Sequence, residues 1–218
     1  MQKIINNTQT IINASKSNAV STSDRGLNYG DGFFTTAKIA NGQVEYWHHH
    51  KARLAECAKR LAFPELDFNS LEQHLHNQVN QKQTGVLKIL VTRGEGGRGY
   101  GLPSECNLTI IVSVLEYPAH YHSLAEHGIS LEISPIKLAA QPLLAGLKTL
   151  NRLEQVLIKN AMQTQNCDDV LVLDYNNHVI EASAANIVAI KNGKLFTPKL
   201  NECGIKGVYL QALCDKLA

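Results

Sequence analysis

The sequence LLAGLKTLNRLEQV, residues 143–156, places a single lysine, Lys148, among leucines. A lysine usually keeps its ammonium group in water, and its burial without a partner is costly. A lysine that acts as a Schiff-base nucleophile must lose its proton near neutral pH, and apolar surroundings or a nearby cation lower the pKa of a lysine from about 10.4. Leu144, Leu147 and Leu150 are candidates for such surroundings. Two interpretations stay open. Lys148 extends along the start of a helix with its charge in solvent, or its nitrogen is needed inside the protein.

The composition bounds the class of protein. The chain has 218 residues, of which 44% are apolar, so it can bury one large core or two small ones. The 21 basic and 19 acidic residues leave a formal charge of +2, which gives no case for binding nucleic acid or an anionic membrane. No apolar run approaches the roughly 20 residues of a membrane helix, and the N-terminal MQKIINNTQT lacks the core of a signal peptide. Five cysteines without CxxC spacing indicate reduced thiols, so we expect a cytoplasmic protein.

Hydrophobic periodicity and turn residues predict the secondary structure. The β-prone stretch 33–44 is broken by Asn41-Gly42, which is a hairpin signal. Helical patterns cover 47–61, 69–82, 149–165 and the segment from Gly207 onward. Strand patterns cover 86–92, 108–115, 129–136, 169–173, 178–182, 186–190 and 194–197. Strands and helices in blocks predict an α+β fold, and the loop-like EYPAH predicts a boundary between an N-terminal domain, 1–117, and a C-terminal domain, 118–218.

The helix predicted over 149–165 has the strongest pattern of the four. Its apolar face consists of Leu150, Leu153, Val156, Leu157 and Ala161. Because residues at this spacing lie on one side of a helix, we expect them to pack against the core.

A glycine-rich motif, GEGGRG at 94–99, has the literal spacing of a dinucleotide-binding loop. Such a loop must open a helix whose N-terminus holds the pyrophosphate. Here YGLPSECNL follows, with a proline and then a strand pattern, so a nucleotide site is not expected. A mobile loop that carries Arg98 and Tyr100 is the favoured interpretation, and a plain surface connection is the alternative.

The histidines do not form a recognisable metal site. Residues 48–50 are consecutive and fan out around a helix, while His74 and His76 lie on nearly opposite helix sides. His120 and His122 converge only in an extended segment, without a nearby cysteine or carboxylate to complete a ligand set. We therefore expect no metal.

Pyridoxal phosphate chemistry at Lys148 needs an acid for the pyridine nitrogen and a helix start with an arginine for the phosphate. Glu181, within HVIEASAANI, is the candidate acid, although its spacing alone favours an exposed strand position. GIKGVYLQAL, 204–213, turns at glycines and enters a helix, but most helices that begin so bind nothing. Arg53 is a candidate for the phosphate or an ordinary solvated residue.

The chain resembles the fold-type IV pyridoxal-phosphate enzymes, and within them the aminodeoxychorismate lyase branch. The matching stretches are SDRGLNYGDGFFTTAKIANG (23–42), VLKILVTRGEGGRGYG (86–101), YPAHYHSLAEHGISLEISPIKL (117–138), LLAGLKTLNRLEQVLIKNA (143–161) and VLVLDYNNHVIEASAANIVAIKNGKLFTP (170–198). The pairs Lys148/Asn151 and Glu181/Asn186 mark the superfamily. The motifs GDGFFTTA, RGEGGRGY and LKTLNRLEQV mark the lyase branch more narrowly.

The resemblance implies a role for each cofactor candidate. Lys148 matches the Schiff-base lysine, which is also the general acid and base. Glu181 matches the partner of the pyridine nitrogen. Arg53 matches the phosphate-binding arginine, and Val208 and Tyr209 match the positions whose backbone amides hold the same phosphate.

The resemblance also implies a substrate side. Phe34, Arg98 and Tyr100 match residues that line it, with Arg98 as a carboxylate binder. Thr36 and Arg152 are weaker pocket candidates, and Thr36 offers a hydroxyl to protonate a leaving group. On the predicted helix Arg152 has an alternative role as an ion-pair partner of Glu132 or Glu154.

The sequence departs from the wider superfamily in two places. At the phosphate helix it has Gly207-Val208-Tyr209-Leu210 where relatives often have Gly-Ile-Thr-Arg, which removes a threonine hydroxyl contact. The chain also stops at Ala218, where family members continue into a strand-rich segment. We therefore expect an incomplete C-terminal domain with exposed apolar surface.

The activity that the resemblance implies is the conversion of 4-amino-4-deoxychorismate to 4-aminobenzoate and pyruvate in folate biosynthesis. The implied cofactor is pyridoxal 5'-phosphate, held in a cleft between the two domains of a homodimeric enzyme. The alternatives are an aminotransferase of the same fold, acting on D-amino or branched-chain amino acids, and a truncated, catalytically silent protein that binds the cofactor.

Overall fold

The computed structural model describes residues 9–13, 15–16, 19–80 and 82–217, which form two compact units. The first unit is Met1–Pro118 and the second is Ala119–Ala218. Each unit contains both helices and strands, so the predicted α+β class is confirmed.

The first unit is built on a six-stranded antiparallel sheet with strand order β2-β1-β6-β5-β3-β4. Its strands are β1 (Gln9–Ile12), β2 (Ser15–Lys16), β3 (Gly32–Ala40), β4 (Gln43–Val44), β5 (Thr84–Thr92) and β6 (Thr109–Leu115). The predicted hairpin joins β3 to β4, and its turn residues Asn41 and Gly42 both have positive φ, 51° and 73°. Asparagine and glycine adopt this conformation most readily, so local turn chemistry sets the pairing.

Three helices accompany this sheet: α1 (Arg25–Tyr29), α2 (Trp47–Arg60) and α3 (Phe68–Val79). The Asp67 carboxylate caps α3 by accepting from the backbone N–H of Ser70. Alternate residues of β3 and β5 point into the core with one face of α2. The fully buried apolar side chains are Phe33, Ile39, Leu54, Leu87, Ile89 and Val91.

An ion-pair network ties the ends of these elements together. One oxygen of Asp31, just before β3, accepts from Nε of Arg25 and from Nε of Arg93, each at 2.8 Å. Arg93 also donates to the carbonyls of Leu61 and Ala62, after α2. Partial burial raises the pKa of Asp31, but the hydrogen bonds and charges of the two arginines outweigh it and leave this pKa below its ordinary value of 3.8.

The second unit has one mixed sheet and a hairpin. The helices are α4 (His120–His127), α5 (Leu153–Met162) and α6 (Val208–Leu217), and the strands are β7 (Leu131–Ile133), β8 (Asp169–Leu173), β9 (Val179–Ala182), β10 (Ala189–Lys191) and β11 (Lys194–Phe196). β7 is parallel to β8, β8 is antiparallel to β9, and β10 pairs with β11. The core cluster contains Leu138, Ile158, Val170, Val172, Ile180 and Cys203.

The helix predicted over 149–165 is shorter than expected and buries a different side. It begins at Leu153, since residues 149–152 are not helical. Of the predicted apolar face, Leu153, Val156 and Leu157 are exposed. Ile158, outside that face, is the residue of α5 that enters the core.

Other differences concern short or amphipathic segments. α4 was not predicted, and the strand expected over 129–136 is reduced to β7. Apolar side chains line an open groove of about 280 Å³ beside α6, namely Val188, Leu195, Phe196, Leu210, Leu213 and Leu217. Over the residues that the structure describes, no helix has the length and apolar character needed to cross a membrane.

We expect Asp31→Asn to lower the free energy of unfolding by roughly 3–5 kcal/mol, because it leaves two largely buried guanidinium groups without their shared anion. Since the pKa of Asp31 is lowered, its stabilisation is present above pH 3.8 and is lost as the pH falls through the native pKa. Urea unfolding at pH 7 and pH 3 measures both effects. Glu72→Gln, which removes an exposed partner of Lys51, should change little. Equal stability of Asp31→Asn and the wild type at pH 7 would contradict the prediction.

Candidate functional site

Lys148 lies in an extended segment and not on a helix. The backbone N–H of Gly146 donates to the carbonyl of Gly204 at 2.9 Å, and the N–H of Lys206 donates to the carbonyl of Gly146 at 3.0 Å. Leu147 and Thr149 are buried, while Lys148 between them is partly exposed. Because side chains alternate along an extended segment, Lys148 faces away from the side on which its neighbours are buried.

Glu181 is a buried carboxyl group in β9, with 5% of its surface exposed. Its Oε2 accepts from the backbone N–H of Ile205 at 2.8 Å, and its side chain is also hydrogen-bonded to Gln155. Burial raises the pKa of Glu181, against the opposing effects of these bonds and of the positive charges of Arg152 and Lys148. The alternative of an exposed strand position is therefore wrong, and Glu181 lies within the electrostatic reach of Lys148.

The segment that leads into α6 is held by Asn186. The side-chain amide of Asn186 donates to the carbonyl of Ile205 at 2.8 Å. A Cβ atom on Gly207 would collide with Oδ1 of Asn186, so this position requires glycine. Gly204, with φ 80°, leaves no room for a side chain against Ile180. The start of α6 is thus fixed in place, with first-turn amides that point outward from the helix end.

Ser183 follows Glu181 by two residues and was missed by the sequence reasoning. Its hydroxyl is buried and has no hydrogen-bond partner among the groups that the structure describes. A buried polar atom of this kind needs an explanation, such as a ligand or an ordered water. The only signal in the sequence was its position between Glu181 and Asn186.

Arg152 precedes α5 and does not share a helical face with Lys148. Its Nη2 donates to Oγ1 of Thr149 at 2.8 Å, and its charge acts on Glu181. Glu154, one of its proposed ion-pair partners, accepts from the backbone N–H of Ala139 at 3.0 Å.

A groove of about 250 Å³ opens beside these residues, with Asn151, Arg152, Gln155 and Gly204 in its lining. Neither Lys148 nor Glu181 lines it, so we do not assign the cofactor to this groove. No three His, Cys, Asp or Glu side chains gather in a possible metal site anywhere in the described ranges.

Arg53 belongs to the first unit, where it is partly buried on α2. Its Nη1 donates to Oγ1 of Thr35 at 3.4 Å, and the same hydroxyl lies 2.6 Å from Nδ1 of His50. Burial lowers the pKa of Arg53. Burial, with the nearby charges of Arg53 and His49, lowers the pKa of His50 to about 4, so His50 is neutral at pH 7. Arg53 is therefore not an ordinary solvated residue, and Thr35 and His50 are partners that sequence reasoning missed.

Phe34 and Thr36 project from β3 on the side opposite the core. Thr35 between them is fully buried, whereas Thr36 is exposed. Thr36 is paired in register with Lys88 of β5, and the ammonium group of Lys88 lies 5.4 Å from the centre of the Phe34 ring. These two candidates share one accessible face of the sheet.

Arg98 and Tyr100 are exposed in the glycine-rich loop between β5 and β6. No helix follows this loop, which agrees with the rejection of a nucleotide site. The carbonyls of residues 99–101 accept hydrogen bonds from Arg25. The backbone of this loop is therefore held by Arg25. Neither interpretation of the sequence, a mobile loop or a plain surface connection, predicted these hydrogen bonds.

We expect Glu181→Gln to stabilise the cofactor-free protein relative to the wild type as the pH rises. The pKa of Glu181 is raised in the folded protein. Its contribution to the free energy of unfolding is therefore fully present below pH 4.5, the ordinary value of a glutamate, and is lost as the pH rises through the higher pKa of the folded state. Glutamine carries no charge and keeps an oxygen for the N–H of Ile205. Urea unfolding at pH 4 and pH 7 should show a difference that grows with pH, while Glu202→Gln at an exposed position should show none. A difference that shrinks with pH would refute the assignment of a destabilised carboxylate.

Comparison with known proteins shows the family to which the chain is similar. The family model described as amino-transferase class IV matches residues 32–218. The chain is 36% identical over 194 residues to the aminodeoxychorismate lyase of Vibrio harveyi, covering 89% of this chain and 72% of that protein. It is 26% identical over 205 residues to the D-alanine aminotransferase of Listeria monocytogenes, covering 90% of this chain and 68% of the relative.

A solved structure agrees with the sequence matches. The crystal structure of 4-amino-4-deoxychorismate lyase from Pseudomonas aeruginosa superposes with a TM-score of 0.89 and 38% identity, over 95% of this chain and 76% of that one. The resemblance to fold-type IV enzymes is thereby confirmed. The family model matches most of the chain, and two lyase relatives agree with it. The chain therefore belongs to the amino-transferase class IV family.

Proposed function

We propose that the protein is a pyridoxal-phosphate-dependent aminodeoxychorismate lyase, which splits 4-amino-4-deoxychorismate into 4-aminobenzoate and pyruvate. The observation that carries the proposal is the buried Glu181 within the electrostatic reach of Lys148, beside the fixed start of α6. The two lyase relatives, at 36% and 38% identity, favour this activity over that of aminotransferases matched at 32% and 26% identity.

The residues present suit the cofactor. A cationic pyridine nitrogen would supply the counter-charge that the buried carboxylate of Glu181 otherwise takes only from Arg152 and Lys148. The amides of Val208 and Tyr209 at the start of α6 would hold the phosphate. The resemblance assigns the guanidinium of Arg53 to the same phosphate. The hydroxyl of Ser183 offers a buried hydrogen bond that has no protein acceptor or donor among the described residues. When bound, pyridoxal phosphate supplies an electron sink for the electrons released at the substrate carbon.

The side chains of the protein then move the protons. Lys148 would hold the cofactor through Nζ and would take the proton from the substrate ring carbon that bears the amine. Glu181 would keep the pyridine nitrogen of a bound cofactor protonated. The hydroxyl of Thr36, exposed on β3, is the proposed proton donor to the departing enolpyruvyl group.

Substrate recognition is assigned to the accessible side chains of the first unit. The substrate is a flat ring with two carboxylates, so it needs aromatic surface and a cation. Phe34 and Tyr100 supply the aromatic surface, and the guanidinium of Arg98 pairs with a carboxylate. Arg152 is proposed as a further pocket residue, because its charge already acts on Glu181.

The resemblance supports further proposals on context. We infer that the enzyme works as a homodimer in the cytoplasm, in folate biosynthesis. We also infer that residues 1–117 form an N-terminal domain and residues 118–218 the cofactor-binding domain.

We expect borohydride reduction after addition of pyridoxal phosphate to label Lys148, because the charge of this lysine acts on Glu181 in the proposed site. Peptide mapping of the reduced protein identifies the labelled residue. Lys148→Ala should abolish the label, and Lys137→Ala and Lys159→Ala should retain it. A label on Lys137 or Lys159, or no label at all, would refute the cofactor assignment.

We expect 4-aminobenzoate and pyruvate in equal amounts from aminodeoxychorismate, without transamination of D-alanine or L-leucine. The physical reason is that a lyase expels the enolpyruvyl group, whereas a transaminase needs a second keto acid. Both products are measured by chromatography over one time course. Glu181→Gln should slow turnover much more than it weakens substrate binding, because it removes the charge that supports the electron sink. Rapid transamination of either amino acid would replace the lyase proposal with an aminotransferase.

A further inference from the structure

The backbone of the glycine-rich loop, residues 94–101, is held by one buried side chain, Arg25, which is 3% exposed. Nη1 of Arg25 donates to the carbonyls of Gly99 and Gly101, each at 3.2 Å, and Nη2 donates to the carbonyl of Tyr100 at 3.3 Å. Three consecutive carbonyls thus share one guanidinium group. A glycine-rich segment loses much conformational entropy when it is ordered, and these bonds oppose that loss.

Arg25 is held in place through both its side chain and its backbone. Its Nε donates to Asp31 at 2.8 Å, and its backbone N–H donates to the carbonyl of Gly94 at 2.8 Å. A Cβ atom on Gly96 would lie only 2.6 Å from Cδ of Arg25. The loop therefore closes tightly around the stem of this side chain, and glycine at position 96 is what allows it.

Tyr29, on the same short helix α1, provides a second set of contacts to the loop. Its hydroxyl accepts from the backbone N–H of Gly99 at 3.2 Å. Its ring meets that of Tyr100 edge to face, with centroids 5.4 Å apart, and the guanidinium of Arg25 lies 5.0 Å from its centroid. Both the N–H of residue 99 and the carbonyls of residues 99–101 are thus bonded to α1.

The side chains of the loop, in contrast, point into solvent. Tyr100 is 85% exposed and Arg98 is exposed as well. A fixed backbone that presents exposed aromatic and cationic side chains suits binding more than core packing. We propose that Arg25 is a positioning residue, assisted by Tyr29, which holds the loop so that Arg98 and Tyr100 meet the dicarboxylate substrate. This inference rests on the proposed function for the identity of the substrate.

Lysine cannot replace Arg25 in this role. Its ammonium group is a compact point charge and cannot span three carbonyls and a carboxylate at once. Arg25→Lys therefore keeps the charge but loses the clamp. Tyr29→Phe is a milder variant, since it removes only the hydroxyl that accepts from Gly99 and leaves the pair of Arg25 with Asp31 intact.

The first test measures how readily the loop opens to a protease. Trypsin cleavage after Arg98, followed by mass spectrometry without substrate, reports how often the loop opens. We expect roughly tenfold faster initial cleavage in Arg25→Lys and a smaller increase in Tyr29→Phe. The matched controls are Arg60→Lys, at an exposed ion pair on α2, and Tyr175→Phe, at an exposed tyrosine of the second unit, and neither should change the rate. Unchanged cleavage in both test variants would overturn the proposal.

The second test separates positioning from a merely structural role. Arg25→Lys should raise KM for aminodeoxychorismate roughly tenfold, with kcat and the cofactor absorbance nearly unchanged. In a double-mutant cycle with Arg98→Gln, the second substitution should add little, because both act through one contact. Fully additive effects would overturn the proposal. If the wild type releases no 4-aminobenzoate while cleavage responds as expected, the clamp is supported and the lyase assignment fails.

Discussion

The first unit depends on one carboxylate, Asp31, that two arginines share. Its Oδ2 is 2.8 Å from Nε of Arg25 and 2.8 Å from Nε of Arg93, and both guanidinium groups are buried. Removing a charge from water is costly unless it is paired and its donors are satisfied. This constraint fixes α1, the start of β3 and the end of β5 relative to one another. The residues after α2 join them through the carbonyls that accept from Arg93.

Local chemistry predicted much of the fold from sequence. The Asn41-Gly42 turn and the strand pattern over 86–92 are properties of short segments, and both predictions are confirmed by the β3–β4 hairpin and by β5. The predicted start of α5 was wrong, since residues 149–152 are not helical. The predicted buried face of α5 was also wrong, since tertiary packing places Ile158 in the core, which no local pattern encodes.

The candidate site was also predicted only in part from the sequence. Residue type and motif identified Lys148 and Glu181, but the environment of Glu181 could not be derived from strand alternation. Ile180, Glu181 and Ala182 are all buried, so β9 shows no alternation along these residues. Arg25 was missed as a functional residue because its bonds to the loop span 74 to 76 positions of sequence. Candidate binding residues are recognisable by residue type, whereas a proposed positioning residue such as Arg25 is recognised from contacts between distant segments.

Asp31 and Glu181 are two carboxyl groups whose environments shift their pKa values in opposite directions. Both carboxyl groups are largely removed from water, yet the pKa of Asp31 is lowered and that of Glu181 is raised. Asp31 bonds directly to two cations of its own unit, so its charge is compensated within the fold and contributes to stability. Glu181 accepts from neutral groups, the N–H of Ile205 and the side chain of Gln155, and the charges of Arg152 and Lys148 only partly offset the effect of its burial. Buried carboxyl groups with a perturbed pKa are concentrated at functional sites, which is why we propose Glu181, and not Asp31, as the partner of a cationic ligand.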